Sequence, residues 1–418
     1  MAGYARDDWK PLRTLTINLG LRWEAQIGPY QNHFDTPVLE KLKQLGYPSG
    51  RTQDWGDFGP RVGFAWDVRG DGKTVVRGGW GIYYDEIYSN ITMLEEFGDL
   101  SSPLYNASLS PSPFTPAYYI AHRDAIRNSF VDPTFTNQLL YLVSPDLKQP
   151  RANQFNAGVS HQVAKNVSLD LDYIHSVGSN GIGSWIIDTP ANQSTRVSPA
   201  GQFQPAWSYV QVIGNRDHSR LDGLYVAAKA RLKQIEFITT YALTKGMNLA
   251  DDFWPYPSDP SNLHWESDWG PMPNDVRHRF TFGGIVPLPR GFQVSTSIQA
   301  NSGKPFDPLQ GLSGYNSTVR AVDPATGQPF GRNSFRGPGF ATWDARVSKT
   351  FRTVKGQSLE VLFEVFNVTD RVNLAGDVGY GFNNVYGSGS APLPGFGTAS
   401  QIVPNSNRQA QLGVRYRF

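Results

Sequence analysis

Apolar and polar side chains alternate strictly in the stretch NRQAQLGVRYRF, residues 407–418. One parity carries Ala410, Leu412, Val414, Tyr416 and Phe418. The other parity carries Gln409, Gln411, Gly413, Arg415 and Arg417. Successive side chains of a β-strand point to opposite faces, so this stretch predicts a ribbon with one apolar and one polar face.

The same alternation recurs along the chain. It is clearest in RTLTINLGLRWEA (Arg13–Ala25), PRVGFAWDVRG (Pro60–Gly70), FATWDARVSKTF (Phe340–Phe351) and SLEVLFEVFNVTD (Ser358–Asp370). About thirteen such segments are present, and they start near residues 3, 13, 60, 73, 151, 166, 222, 234, 275, 291, 340, 357 and 408. One short helix is predicted at Phe34–Leu45, so the predicted class is all-β.

The composition excludes several classes of protein. The 418 residues carry a net charge of +2, which gives no indication of a nucleic-acid partner. The absence of cysteine excludes disulfide frameworks, thiolate zinc sites and cysteine nucleophiles. No run reaches the roughly 18 apolar residues that a membrane-spanning helix needs.

Short and long connections between the segments alternate along the chain. The short set is KPLR, Gly70–Lys73, Ala164–Asn166, Lys233–Gln234, Leu288–Gly291 and Thr353–Gly356. The long set covers approximately residues 26–59, 86–150, 179–221, 246–274, 304–339 and 369–407. This alternation is typical of an antiparallel up-and-down β-barrel in an outer membrane, with tight periplasmic turns and long extracellular loops.

A soluble β-sandwich also alternates apolar and polar residues, but two features favour the membrane barrel. Several unstructured loops above about 15 residues are unusual in a compact soluble domain. Aromatic residues on the apolar parity also cluster near strand ends, where interfacial girdles lie: Trp23, Tyr84, Trp343, Phe351, Tyr416 and Phe418. The main charged exception on the apolar parity is Lys349, next to a tight turn, where its stem can extend to the headgroups.

The direction of the strands gives a further expectation. If the tight turns are periplasmic, the first segment runs downward from the extracellular rim. Bacterial single-chain barrels have even strand numbers. We therefore expect residues 1–418 to be the C-terminal portion of one larger barrel domain that has further N-terminal strands.

Several blocks together resemble the C-terminal barrel of TonB-dependent outer-membrane receptors, of the Oar-like type with an N-terminal carboxypeptidase-regulatory-like domain. The blocks are Asp7–Glu24, Phe58–Asp67, Asp275–Pro289, Gly331–Phe351, Phe363–Asn373 and the ending RQAQLGVRYRF. Their order and spacing span nearly the whole chain.

This resemblance implies a barrel of 22 strands with a separate N-terminal plug domain in its lumen. It implies energised uptake of a scarce nutrient through the TonB complex, in the cell outer membrane of a Gram-negative bacterium. It also implies that Tyr416 and Phe418 form the terminal signal that the barrel-assembly machinery reads.

An aromatic and acidic stretch at Asp251–Asp275 is the candidate ligand-contacting loop. Exposed aromatic rings supply stacking area for sugars, peptide side chains or a chelate. The proposed contact residues are Trp254, Tyr256, His264, Trp265 and Trp269. The alternative is a loop that packs on itself and on its neighbours.

Other motifs have simpler readings, and we predict no catalytic, cofactor or metal site. The glycines of Arg77–Tyr84 leave room for neighbouring side chains, since no helix follows to form a dinucleotide loop. His278 is predicted to be a girdle or packing residue. Glu360 and Glu364 are predicted to form a lumen ion-pair ladder with Arg346 and Arg352.

Three functions compete at this point. The first is a receptor that imports a siderophore, oligosaccharide or peptide. The second is an outer-membrane barrel that binds or adheres at the cell surface without transport. The third is a soluble carbohydrate-binding β-protein.

Overall fold

A computed structural model describes most of the chain. The described residues are 1–27, 53–88, 90–91, 138–186, 207–249, 268–310, 320–352, 356–376 and 381–418. The predicted helix at Phe34–Leu45 lies outside them. Within these ranges, no helix is both long enough and apolar enough to cross a membrane.

β-Strands dominate the described residues. In chain order they are β1 (Ala2–Leu12), β2 (Leu15–Glu24), β3 (Asp57–Asp67), β4 (Thr74–Tyr84), β5 (Gln138–Val143), β6 (Arg151–Ala164), β7 (Val167–Ile186), β8 (Trp207–Leu232), β9 (Ile235–Asn248), β10 (Gly270–Pro271), β11 (His278–Leu288), β12 (Phe292–Asn301), β13 (Pro305–Phe306), β14 (Phe335–Arg336), β15 (Phe340–Arg352), β16 (Ser358–Phe366) and β17 (Gln409–Arg417). A 3-10 turn, Pro289–Gly291, connects β11 to β12.

Thirteen of these strands form one antiparallel path in the order β1-β2-β3-β4-β6-β7-β8-β9-β11-β12-β15-β16-β17. Each strand pairs with its neighbours along the chain, so the predicted up-and-down order of about thirteen strands is confirmed. Two strands add to the same sheet away from this path: β10 pairs with β9, and β5 pairs in parallel with β8. β13 and β14 form a separate ribbon.

The apolar parity of the strands faces outward, as predicted. Leu19 is 46% exposed, Val347 is 45% exposed and Leu412 is 74% exposed. In register beside them, Arg346 pairs with Glu364 on the opposite, polar face. Soluble proteins rarely expose an apolar surface of this extent to water, so the outer face of the sheet contacts the hydrocarbon of a membrane.

Glycines on the inner face make room for long polar side chains. A Cβ atom on Gly158 would lie 2.0 Å from the Asp172 carboxylate, and one on Gly79 would lie 2.9 Å from the Asn156 amide oxygen. This agrees with the predicted role of the glycines in Arg77–Tyr84, since Gly79 admits the Asn156 side chain.

The tight turns are built from local backbone geometry. Gly70 and Gly72 have φ angles of 72° and 70°, and Lys233 has a φ angle of 58°. The Asp67 carboxylate accepts hydrogen bonds from the N–H groups of Gly70 and Gly72, at 3.0 and 2.8 Å. These contacts lie within a few residues of each other, so each turn is largely self-contained.

The prediction of one long loop at residues 179–221 is wrong. β7 continues to Ile186 and β8 begins at Trp207, and the two remain paired beyond irregularities between Gly178 and Ile182. These irregularities break the alternation, which is why sequence periodicity missed the extension. The extended hairpin contributes Ile213 to a small apolar core with Ile87, Ile91, Val143 and Leu147.

Candidate functional site

The edge of the sheet that carries the long connections, here called the long-loop rim, is held by buried ionic contacts. Its charged residues lie in segments that precede β11 or follow β13. Sequence periodicity assigned Asp268, Arg320, Arg332 and Arg336 to loops, and placed Asp275 at the start of a strand. The opposite edge, with the tight turns, is called the turn rim.

Asp275 joins three segments of the long-loop rim. Its carboxylate is fully buried and accepts hydrogen bonds from Arg277 at 2.9 Å and Arg336 at 2.5 Å. It also accepts the N–H of Gly246, at the end of β9, at 2.9 Å. Burial raises the pKa of Asp275, but the Gly246 N–H and the two guanidinium groups outweigh it, so this pKa lies below its usual value.

Arg332 acts as a second junction, through backbone carbonyl groups. Its Nε donates to the carbonyl oxygen of Asp268 at 2.8 Å, and Nη2 donates to the carbonyl oxygens of Asn248 and Gly270 at 2.5 and 3.2 Å. The Arg332 side chain is buried, so its guanidinium group, rather than water, supplies the hydrogen bonds to these backbone carbonyl oxygens.

Arg320 forms the most deeply buried contact of the rim. Its side chain is 1% exposed, and Nη2 donates to the Asp268 carboxylate. Nε and Nη1 of Arg320 have no partner among the described residues. Asp268 therefore holds the end of the predicted ligand loop against the segment that follows residue 319.

Six aromatic rings cover this end of the sheet, and we call them the aromatic cap. They are Phe306, Phe330, Phe335, Phe382, Tyr386 and Phe396. Phe306 lies edge-on to Phe382 at a centroid distance of 4.8 Å, and Phe330 lies edge-on to Tyr386 at 5.1 Å. The cap joins the last two long connections into one packed layer.

The structure describes one of the five predicted ligand contacts. Trp254, Tyr256, His264 and Trp265 lie outside the described residues. Trp269 is half-buried and stacks on His218 with a centroid distance of 4.8 Å and an interplanar angle of 21°.

The inner face carries ion pairs, as predicted for a lumen wall. Arg346 pairs with Glu364 at 2.5 Å, and Arg77 pairs with Asp172 at 2.6 Å. In the predicted ladder of Glu360 and Glu364 with Arg346 and Arg352, the Arg346–Glu364 pair is present, but Arg352 lies opposite Ser358 in register and not opposite Glu360. Glu360 instead lies 3.4 Å from Arg415 on β17, since these two residues are opposite each other in register.

Two predictions on the outer face agree with the geometry. His278 Nδ1 lies 2.7 Å from the Tyr241 hydroxyl, beside an exposed aromatic surface. The Lys349 ammonium group reaches the Arg290 carbonyl of the adjacent turn and lies 4.1 Å from the centre of the Phe292 ring. Its charge therefore lies at the turn rim rather than in the middle of the apolar surface.

Tyr416 and Phe418 lie together at the end of β17. Their ring centroids are 6.2 Å apart, and Phe418 is 99% exposed. Across the described ranges, no group of three His, Asp or Glu residues is placed to hold a metal ion.

A family model described as an outer membrane beta barrel domain matches residues 1–330 and 319–411. The chain belongs to this family. An outer membrane β-barrel domain resides in the cell outer membrane, which agrees with the apolar outer face. The soluble carbohydrate-binding alternative is therefore wrong. No curated protein sequence matches the chain.

Three solved structures share the fold of this outer membrane β-barrel domain. The outer membrane transporter YddB from Escherichia coli matches with a TM-score of 0.55 and 12% identity over 89% of this chain and 41% of its own. The siderophore receptor PirA from Acinetobacter baumannii matches with a TM-score of 0.52 and 11% identity over 99% of this chain and 45% of its own. The ferripyoverdine receptor of Pseudomonas aeruginosa matches with a TM-score of 0.51 and 9% identity over 99% of this chain and 38% of its own. The chain therefore spans less than half the length of each.

Sequence analysis missed Arg320, Arg332 and Arg336. These three residues lie in a segment assigned to a loop, where alternation gives no guidance. On the outer face it also missed Arg220 and Asp222. Both share the parity of Leu224, so this departure from the apolar pattern was readable from the sequence.

Proposed function

We propose that this chain is the barrel wall of an outer-membrane receptor that takes up a scarce nutrient, such as a siderophore, oligosaccharide or peptide, and is not an enzyme. The supporting observation is the built long-loop rim, where Asp268 and Asp275 anchor the end of an aromatic-rich connection above a polar inner wall. Solved structures with this fold are described as an outer membrane transporter, a siderophore receptor and a ferripyoverdine receptor.

The rim gives ligand capture a physical basis. A ligand contact on a mobile loop loses free energy when the loop becomes ordered, whereas an anchored segment is already positioned. The buried Asp268 contact positions Trp269, whose ring is held flat against His218. We propose that Trp269 contacts the ligand together with Trp254, Tyr256, His264 and Trp265.

Binding and uptake can be measured in cells whose chromosomal gene carries alanine substitutions. The probes are a ferric hydroxamate siderophore, a ferric catecholate siderophore, a maltooligosaccharide and a mixed peptide pool. We expect one probe to bind and to be taken up, and we expect Trp254→Ala, Trp265→Ala and Trp269→Ala each to weaken its binding about tenfold or more. Trp66→Ala, near the turn rim, is the matched control with unchanged binding.

Unchanged affinity in all three loop variants would remove this loop from the ligand site. Binding without uptake would instead support the surface-binding alternative. We propose that uptake is energised by the TonB complex, so loss of the proton gradient should stop uptake while binding remains.

We also propose that further strands complete the barrel. Within the described residues, β1 and β17 each pair on one side only. Lipid offers no hydrogen-bond partner to such an edge. A disulfide that forms readily between Ala5→Cys and Leu412→Cys would contradict this, because it would show the thirteen strands closing on themselves.

Tyr416 and Phe418 are the proposed signal for the barrel-assembly machinery. The exposed Phe418 ring at the end of an edge strand is accessible to a partner before the barrel closes. Phe418→Ala should lower the fraction of protein assembled in the outer membrane. Trp9→Ala, which alters another exposed ring on an edge strand, should not.

A further inference from the structure

A polar cluster interrupts the apolar outer face of β7, β8 and β9. We call it the outer-face cluster, and it consists of Tyr173, His175, Arg220, Asp222 and Lys245. His175 and Lys245 both lie directly opposite Asp222 in register, and Tyr173 lies opposite the exposed Leu224. The cluster therefore faces outward, on the same side as the lipid-facing residues.

Asp222 organises the cluster. Its carboxylate accepts the Tyr173 hydroxyl at 2.6 Å, lies 2.8 Å from His175 Nδ1 and accepts Arg220 Nε at 2.9 Å. The Arg220 side chain remains 59% exposed. The carboxylate therefore orients one edge of the guanidinium group and leaves the terminal nitrogens facing the surroundings.

The height of the cluster places it at the boundary of the membrane. Asp222 lies ten residues before Leu232, where β8 ends at the turn rim. At about 3.3 Å per residue and a tilt of about 40°, this distance corresponds to a height of roughly 25 Å. The apolar band of outer-membrane barrels is about 25 Å tall, so the cluster lies at the headgroup level on the long-loop side.

Cations at this level are concentrated on one part of the outer face. Arg151 on β6 is exposed and lies 3.3 Å from the Ser179 hydroxyl, on the same side as Arg220 and Lys245. Near the same rim, the outward positions of the β12–β15 pair are Ala300 and Ala341. Arg151, Arg220 and Lys245 thus outnumber the two nearby carboxylates, Asp222 beside Arg220 and Asp57 near Arg151, and form a local positive patch on β6 to β9.

We propose that Arg151, Arg220 and Lys245 bind the phosphate groups of a phosphorylated lipid headgroup in the outer leaflet. A guanidinium group matches a phosphate with two parallel hydrogen bonds, and a lysine adds a point charge. The Tyr173 ring and neighbouring apolar side chains would lie beside the acyl chains of the same lipid. The patch would fix the barrel to its surrounding lipid and set its height in the membrane.

The test measures binding of diphosphoryl lipid A to the full chain purified from outer membranes in a neutral detergent. We expect the unaltered protein to bind and the Arg220→Gln/Lys245→Gln variant to bind about tenfold more weakly. Lys349→Gln is the matched control, because it removes a cation from the same outer face at the turn rim, and its binding should be unchanged. Dephosphorylated lipid A should bind no better to the unaltered protein than to the double variant.

Three results would overturn the proposal. They are equal binding by the double variant, an equal loss in Lys349→Gln, and displacement of lipid A by inorganic phosphate at the same concentration, which would identify a free anion as the ligand. Because the double variant changes contacts to Asp222, Arg220→Lys serves as a second variant. It retains the charge and should retain most of the binding, and retained heat-modifiable migration on gels verifies that each variant is folded.

Discussion

The two rims of the sheet are built by different kinds of contact. At the turn rim, Asp67 binds the backbone of Gly70 and Gly72, all within one hairpin. At the long-loop rim, Asp275 is joined to Gly246, 29 residues away, and to Arg336, 61 residues away. Geometry at the first rim is therefore local, and geometry at the second depends on the tertiary fold.

This difference has a consequence for stability. A local turn is a small unit whose loss affects one hairpin, whereas a buried ionic junction affects every segment that meets there. Variants at the long-loop rim should therefore be more damaging than variants at the turn rim, and the following predictions test that order.

The largest effect is expected in the aromatic cap. Phe306→Ala removes a ring that is 6% exposed and packs against Phe335, Phe382 and Phe396. A buried Phe→Ala change costs about 3–5 kcal/mol. The amide of Tyr386, which donates to Leu309 across the cap, should exchange with deuterium about a hundredfold faster.

The control for this variant is Phe64→Ala, a change of an exposed ring on the outer face. Exchange of the Tyr386 amide should be unchanged there. Equal acceleration in both variants would show that the cap is not an independent packed unit.

The next largest effect is expected at the ionic junction. Asp275→Asn leaves two guanidinium groups without their shared carboxylate, and loss of one partner of a buried pair costs about 3 kcal/mol. Urea unfolding of the detergent-solubilised protein should shift to a lower midpoint. Asp71→Asn, at the turn rim, is the matched control and should change stability by less than about 0.5 kcal/mol. Similar midpoints for the two variants would remove the proposed difference between the rims.

A smaller effect is expected for the backbone of a turn. Gly72 has a φ angle of 70°, a conformation that costs a residue with a Cβ atom about 1–2 kcal/mol. Nothing lies within 4 Å of an added Cβ, so Gly72→Ala should cost this amount through the backbone alone. Urea unfolding measures it, and Gly72→Asn should lose less, since asparagine tolerates this conformation.

The smallest effect is expected from acid. The pKa of Asp275 lies below its ordinary value of 3.8, so its contribution to stability is complete above that pH and is lost as the pH falls through the folded pKa. Stability between pH 5 and pH 8 should not change through this group. Urea midpoints below about pH 4 should fall more steeply for the unaltered protein than for Asp275→Asn. If the urea midpoints of the two proteins fall equally steeply as the pH is lowered, another group governs the acid sensitivity.

The sequence predicted the strands far better than the rims. Alternation located both faces because Leu19 and Val347 repeat a two-residue period that the membrane imposes on every strand. The pattern failed where β7 and β8 leave the membrane, because the irregularities near Gly178 break the period. It also failed at Arg320 and Asp275, whose partners lie in distant segments of the chain. The predicted ligand contacts stay predictions, with Trp269 alone described.

Cysteine scanning of β12 tests the central claim, that the apolar parity faces lipid and the polar parity lines the lumen. The chain has no native cysteine, so single substitutions can be labelled without interference. Ser295 and Ser297 line an inner cavity of about 1100 Å³, and Val294 and Ile298 belong to the outward parity. In reconstituted vesicles, a membrane-impermeant maleimide should label Ser295→Cys and Ser297→Cys, while brominated lipid should quench a fluorophore only at Val294→Cys and Ile298→Cys. The reverse assignment of the two parities would contradict the account.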